Sequence, residues 1–175
     1  MATEIYFVRH GESLDNVAGV SFDDMNISDD GLLDNPLTEL GERQAEEAAR
    51  WLHARVRAGA VVSSGMARTD MTAAPIARAY GLEVEKLAEM REVDVKGESL
   101  GKIKIENAIS RTLYTLPGGD RVRAGFMKAG VACAFNTWAV AGLNGFEPAA
   151  DLRARARYCL ETLAPRPEPS IAAAS

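Results

Sequence analysis

Short apolar runs, separated by segments with helical periodicity, constrain the fold of this chain more than any other feature. "IYFV" begins at residue 5, "AVVSS" begins at residue 60, a third run lies around Leu82 to Leu87, and "SIAAAS" ends the sequence. Between these runs, apolar residues recur at the spacing of amphipathic helices. Strands that alternate with helices predict an α/β fold, a three-layer sandwich in which helices flank a mainly parallel central sheet.

The predicted helices have recognisable boundaries. Thr38 is a predicted N-cap residue, and Gly59 is predicted to end the helix that begins after it. A second helix is predicted from Arg68 to Tyr80, followed by a glycine that stops it, and a late helix is predicted from Asp151 to Leu163. Residues 102–165 as a whole have a mainly helical pattern.

The size and charge of the chain fit one domain. We expect the 175 residues to form a single domain, 1–175, which is long enough to bury a real core. The net charge of −5 argues against binding to nucleic acid or to anionic membranes. No run reaches the roughly 18 apolar residues of a membrane helix. Because Met1 to Glu4 leave no room for a signal peptide, we expect a cytoplasmic protein; nothing indicates its oligomeric state.

Residues that usually ligate metals are sparse. Cys133 and Cys159 are far apart in the sequence, which fits neither a disulfide framework nor a metal site. His10 and His53 are the two histidines of the chain. The acidic stretch that starts at Asp24 begins like a calcium loop but lacks the required glycine and the closing glutamate. We expect no metal and no cofactor.

The end of the first strand carries an unusual group of residues, Arg9-His10-Gly11-Glu12-Ser13. The preceding run, Ile5 to Val8, is typical of a strand buried on both faces. Gly11 permits a tight turn and a close approach of the backbone to another group. In open α/β sheets, ligands bind just beyond the carboxyl ends of the strands. Arg9 and His10 are therefore predicted to face a ligand.

"VRHGES" resembles the signature of the histidine phosphatase superfamily, which has the phosphoglycerate mutase-like fold. "PLTELGERQAEEAARWL" resembles the first helix of that family. "VVSSGMARTDMTAAPIA" resembles its second strand, turn and helix, and places Arg68 on the second phosphate-binding arginine. "EMREVD" resembles the segment of the catalytic acid, which falls on Glu92, and Asn16 takes the position of a phosphate-contacting asparagine. The resemblance covers residues 5–100 well and residues 101–165 loosely.

The resemblance implies a role for each matched residue. His10 is the catalytic nucleophile, because a neutral imidazole nitrogen attacks phosphorus well near pH 7. Arg9, Asn16 and Arg68 bind the phosphate, and the two arginines neutralise it with planar, permanently charged groups. Glu92 is the catalytic acid, which protonates the leaving alkoxide and then activates water.

These roles imply a phosphomonoester hydrolase that acts through a phosphohistidine intermediate on a small phosphorylated metabolite. No nucleic acid, membrane, metal or cofactor takes part in such a reaction. Two alternatives stay open: phosphoryl transfer of the phosphoglycerate mutase type, and a non-catalytic domain that binds a phosphorylated ligand.

The second alternative comes from a histidine that the resemblance leads us to expect. The family has a second active-site histidine at the end of a late strand, whereas His53 lies on a helix face and is expected at the surface. "PSIAAAS" resembles the strand that leads to this second histidine, and the printed chain stops there. We expect a shortened version of a longer protein rather than a degenerate relative, because four site residues are all in place: Arg9, His10, Arg68 and Glu92.

Overall fold

The computed structural model describes residues 4–17, 26, 34–92 and 147–174. The chain divides into two compact units, residues 1–92 with 153–175 and residues 93–152. In the second unit the described residues are 147–152. The helices predicted between residues 102 and 146 lie outside the described residues, and the single-domain organisation stays a prediction. The fold of the first unit is described below.

The sheet of the first unit contains four described strands. They are β1 (Ile5–Arg9), β2 (Ala60–Ser63), β3 (Val84–Lys86) and β4 (Ser170–Ala174). Their order across the sheet is β1-β4-β2-β3, and every neighbouring pair is parallel. The predicted parallel α/β sheet is confirmed, and the last strand of the chain is one of its two inner strands.

Three α-helices of the described residues accompany these strands: α1 (Glu39–His53), α2 (Ala67–Tyr80) and α3 (Ala149–Leu163). Thr38 is the N-cap of α1 as predicted, because its hydroxyl oxygen accepts a hydrogen bond from the Gly41 amide at 3.1 Å.

The two helix ends predicted at glycines differ in outcome. Gly81 ends α2 as predicted, with φ +67° in the left-handed region. The prediction that α1 continues to Gly59 is wrong, because the helix ends at His53. Val56 lies beyond the end of α1 and is buried in the core, and the Gly59 amide donates to the Pro169 carbonyl ahead of β4.

Apolar side chains pack on both faces of the sheet. On one face, Val61, Ile171 and Ala173 pack against Leu52 of α1 and Ile76 of α2. The opposite face has a second cluster of buried residues, Val62, Met90, Cys159, Leu163 and Ala172, in which α3 contributes Cys159 and Leu163. Helices therefore cover both faces of the sheet, which confirms the predicted three layers.

The prediction that β1 is buried on both faces is wrong. Phe7 is 64% exposed, and Arg9 is also exposed. Residues Ser170 to Ala173 of β4 are instead fully buried, because β4 lies between β1 and β2 and leaves β1 as an outer strand of the described sheet. The two-sided burial that we predicted for the first strand therefore belongs to the last one.

No helix in the described ranges is long and apolar enough to cross a lipid bilayer. The cytoplasmic location stays a prediction.

Candidate functional site

The chain segments that leave the carboxyl ends of β1, β2 and β3 carry the predicted site residues. His10 directly follows β1, and Arg68 lies in the first turn of α2, after β2. A short 3₁₀ turn, Ala88–Met90, follows β3 and leads to Glu92. Because the strands are parallel, their carboxyl ends lie at one edge of the sheet, where ligands bind in open α/β sheets.

The imidazole of His10 is held by its own loop. Its Nδ1 lies 2.7 Å from the carbonyl oxygen of Gly11. A carbonyl oxygen can only accept, so Nδ1 carries the proton, and the neutral ring has its lone pair on Nε2. The backbone amide of His10 donates to the Ala174 carbonyl at 3.1 Å, which continues the pairing of β1 with β4. Ring tautomer and backbone position are therefore both set.

Two glycines let the loop after His10 lie directly on α1. A Cβ on Gly11 would overlap the carbonyl oxygen of Gly41, and a Cβ on Gly41 would overlap that of Glu12. Several hydrogen bonds hold the contact. The Glu12 amide donates to Gln44 Oε1 at 2.8 Å, the Thr38 hydroxyl donates to Glu12 Oε1 at 2.7 Å, and the Thr38 amide donates to the Glu12 carbonyl at 2.9 Å. The first turns of α1 thus support the loop that carries His10.

Thr72 connects this loop to the helix of Arg68. The buried hydroxyl oxygen of Thr72 accepts a hydrogen bond from the Gly11 amide at 3.1 Å and donates to the Arg68 carbonyl at 2.8 Å. A single hydroxyl therefore joins two segments that are 61 residues apart in the sequence.

Replacing Thr72 with valine is expected to destabilise the protein by about 1–3 kcal/mol, because the buried Gly11 amide then has no acceptor. Urea unfolding measures the free energy of unfolding. Thr72→Ser keeps the hydroxyl and is the matched control. We expect its free energy of unfolding to be much closer to that of the unaltered chain. Equal stability of the valine and serine variants would show that the hydroxyl is not needed.

The turn that carries Arg68 is held by several polar contacts. Gly65 has φ +79°, a conformation that favours glycine. Asp70 accepts from the Ser63 hydroxyl at 2.5 Å and from Lys86 Nζ at 2.7 Å, and this hydrogen bond raises the pKa of Lys86. The Asp34 carboxylate accepts from the Ala67 amide at 2.6 Å, at the N-terminus of α2.

Arg68 and Glu92 form an ion pair, although they come from separate segments. Arg68 Nη2 lies 3.8 Å from Glu92 Oε2. The side chain of Arg68 is 9% exposed and that of Glu92 is 66% exposed. A long pair with an exposed partner contributes little to stability. The contact therefore joins a buried cation to a carboxylate that solvent and ligands can reach.

Arg9 and Asn16 are placed differently from that pair. Arg9 is exposed at the end of β1, and in the described ranges its guanidinium has no hydrogen bond or ion pair. Asn16 is exposed too, and its Oδ1 accepts from the amide and the hydroxyl of Ser13, at 3.2 and 3.0 Å. Its Nδ2 is then the atom that can donate to a ligand. No hydrogen bond or ion pair joins either residue to Arg68 or Glu92 in the described part of the chain.

The remaining histidine and cysteine of the described ranges lie elsewhere. His53 is exposed on α1, and its ring contacts Tyr80 edge-on, with the ring centroids 5.1 Å apart. Cys159 is buried in the α3 cluster, and burial raises the pKa of its thiol. Among the described residues, no group of three or more histidine, cysteine or acidic side chains could hold a metal ion.

Sequence reasoning missed Thr72 and Arg155 as parts of this region. Thr72 had a usable signal, because it lies four residues after Arg68 and so on the same helix face. Arg155 of α3 donates to the backbone carbonyl of Glu92, 63 residues away, and nothing in the local pattern indicates that contact.

Comparisons with known proteins show the family of the chain and its fold. The family model of the Histidine phosphatase superfamily (branch 1) matches residues 5–108, which is more than half of the chain. A protein named "Probable phosphoglycerate mutase GpmB" from Yersinia pestis (strain Pestoides F) is 39% identical over 95 residues. These residues are 53% of this chain and 39% of that relative. The chain thus spans well under half the length of the curated relatives it matches.

Solved structures resemble the chain over nearly its whole length. Mycobacterial glucosyl-3-phosphoglycerate phosphatase in complex with VO3 is 25% identical, with a TM-score of 0.64 over 99% of this chain and 75% of that one. Phosphoglycerate mutase from Bacillus anthracis str. Sterne is 16% identical, with a TM-score of 0.66 over 99% of this chain and 74% of that one. The second likeness shows a shared fold and no more.

Proposed function

Because this chain belongs to the histidine phosphatase superfamily, we propose that it is a phosphomonoester hydrolase that acts through a phosphohistidine at His10. The substrate class is a small phosphorylated metabolite. Phosphate-binding arginines suit such a substrate, because a phosphomonoester carries close to two negative charges near neutral pH.

The observation that carries the proposal is the hydrogen bond between His10 Nδ1 and the Gly11 carbonyl. It keeps the proton on Nδ1, so that Nε2 is the nitrogen free to attack phosphorus. The amide of the same glycine is tied to Thr72, which limits movement of the loop. A nucleophile that is already oriented loses little entropy when the substrate binds.

In the first half-reaction, Nε2 attacks phosphorus while the bond from phosphorus to the leaving oxygen breaks. Arg9, Arg68 and the Asn16 amide hold the phosphoryl oxygens, where the charge of the transition state lies. Once the anionic phosphate occupies the arginines, Glu92 takes up a proton from solvent and gives it to the leaving oxygen, and an alcohol departs. The contact of Glu92 with Arg68 supports this role, because it keeps the carboxyl group next to a phosphate-binding residue.

In the second half-reaction, water attacks the phosphorus of the phosphohistidine and the bond to Nε2 breaks. Glu92, now a carboxylate, takes the proton from that water. Inorganic phosphate leaves, and His10 and Glu92 return to their starting protonation states.

Phosphoglycerate mutase chemistry is the second candidate, supported by the name of the Yersinia relative. A mutase passes the phosphoryl group between hydroxyls of glycerate, whereas a hydrolase releases inorganic phosphate. ³¹P NMR of a phosphoglycerate incubated with the chain separates the two products. We expect release of inorganic phosphate, and isomerisation without release would favour the mutase.

A non-catalytic domain that binds a phosphorylated ligand is the third candidate. His10 and His53 are the two histidines of the chain. Because His53 lies on α1 and not at the end of a late strand, neither takes the place of the second active-site histidine of the family. Turnover of p-nitrophenyl phosphate distinguishes the candidates, because a binding domain would bind phosphate without hydrolysing the ester. We expect hydrolysis.

Inorganic phosphate or its mimic vanadate is expected to bind at Arg9, His10 and Arg68, as isothermal titration calorimetry can measure. Charged hydrogen bonds contribute about 1.5–3 kcal/mol each, so Arg68→Ala should weaken binding by roughly 10- to 150-fold. Arg78→Ala is the matched control, since Arg78 is exposed on the same helix. An affinity that Arg68→Ala leaves unchanged would remove Arg68 from the site.

A further inference from the structure

Arg155 of α3 holds the backbone of the segment that carries Glu92. Its Nη1 donates to the carbonyl oxygens of Glu89 and Arg91 at 2.7 and 3.0 Å. Its Nη2 donates to the carbonyl oxygen of Glu92 at 3.3 Å. The guanidinium therefore spans three backbone acceptors within four residues, and these contacts lie within the first compact unit.

The segment needs such a donor because of where it lies. The 3₁₀ turn Ala88–Met90 ends within it, and the last carbonyls of a helical turn have no partner within the turn. A guanidinium has five N–H donors in a rigid plane and can serve several carbonyls at once. The ammonium of a lysine is a compact point donor and cannot copy that plane.

The carboxyl group of Glu92 depends on this backbone for its position. Its side chain is 66% exposed, and Arg68 is its one ion-pair partner among the contacts of the described residues. An exposed glutamate has several accessible rotamers, so the path of the backbone decides which side-chain positions reach the ligand. Arg155 touches that backbone and stands on a different element from the phosphate-binding residues.

We propose that Arg155 is a positioning residue for proton donation: it holds the backbone of residues 89–92 so that the Glu92 carboxyl group reaches the leaving oxygen of the substrate. The inference rests on the proposed function, because it assumes that Glu92 is the acid. Arg155 takes no part in binding phosphate and exchanges no proton with the substrate.

The test compares the turnover of alkyl and aryl phosphates by Arg155→Gln. Displacing a catalytic group by about 1 Å can cost around 100-fold, so we expect kcat for an alkyl phosphate to fall roughly 10- to 100-fold with KM little changed. For p-nitrophenyl phosphate, kcat should fall far less, because its leaving group needs little protonation. Arg157→Gln, at an exposed position on the same helix, is the matched control and should change neither rate.

Two further variants separate the possible failures. Glu92→Gln combined with Arg155→Gln should be no slower on alkyl phosphates than Glu92→Gln alone, since both changes disable the same proton transfer. Losses that multiply would overturn the positioning role. If Glu92→Gln alone shows no preference for aryl phosphates, the acid role in the proposed function fails instead.

A readout without turnover completes the test. Arg155→Gln should speed hydrogen exchange at the amides of residues 89–92, and Arg157→Gln should leave it unchanged. Arg155→Lys keeps the charge and most of the packing and serves if the glutamine variant does not fold; it should give a smaller change in the same direction. Unaltered exchange at these amides in a folded Arg155 variant would contradict the proposal.

Discussion

Replacing His10 with alanine is expected to slow turnover of phosphomonoesters by about 10⁶-fold, the scale on which loss of a nucleophile slows covalent catalysis in other enzymes. The reason lies in the site itself. In the neutral ring of His10, Nδ1 carries the proton and donates it in a hydrogen bond to the Gly11 carbonyl, so Nε2 has the free lone pair. The other groups that we propose to bind phosphate are two arginines, which do not deprotonate, and the Asn16 amide, and none of them can act as a nucleophile. Steady-state assays with an alkyl and an aryl phosphate measure the loss.

His53→Ala is the control for this experiment. His53 is exposed on α1 and packs edge-on against Tyr80. It has no role in the reaction that we propose. Its removal should leave turnover within a small factor of the unaltered chain. Phosphate affinity should survive in His10→Ala to a large extent, because the arginines remain. A His10→Ala variant that keeps more than about one tenth of the activity would refute covalent catalysis at His10.

Replacing Glu92 with glutamine is expected to slow hydrolysis of alkyl phosphates by roughly 10²- to 10⁴-fold, the usual contribution of a general acid. Glutamine keeps the shape of the side chain but has no proton to give. Aryl phosphates should suffer less, because their leaving groups depart without protonation. Comparing kcat for the two classes of ester measures the role directly.

The stability of the Glu92→Gln variant separates chemistry from folding. The pair with Arg68 is long and Glu92 is mostly exposed, so the free energy of unfolding should hardly change. Glu89→Gln, in the same segment, is the matched control and should leave both rates intact. Equal slowing of alkyl and aryl esters by Glu92→Gln would mean that this carboxyl group binds or orients the substrate rather than donating a proton.

Much of the fold could be predicted from local signals. The short apolar runs between helical segments indicate a parallel sheet, and Thr38 and Gly81 mark helix boundaries by their capping chemistry. The site region follows from the same topology, since parallel strands bring their carboxyl ends to one edge. That argument and the resemblance together led from separate motifs to Arg68 and Glu92, which the structure brings within 3.8 Å.

Other features depend on contacts between distant parts of the chain. β4 pairs with both β1 and β2, which leaves β1 as an outer strand of the described sheet. The exposure of Phe7 follows from that position and could not be predicted from its apolar neighbours in the sequence. No local signal marks the end of α1 at His53, because the buried Val56 continues the helical spacing of the apolar residues. The hydrogen bonds of Thr72 to Gly11 and of Arg155 to Glu92 join segments more than 60 residues apart.

The most direct test of the account is to trap and locate the phosphoryl group on the protein. Rapid quenching with a labelled aryl phosphate, followed by peptide mapping and ³¹P NMR, identifies both the residue and the nitrogen. The account predicts an acid-labile phosphoryl group on Nε2 of His10 that is present in His53→Ala and absent from His10→Ala. A phosphoryl group on Nδ1, on any other residue, or persisting in His10→Ala would contradict it.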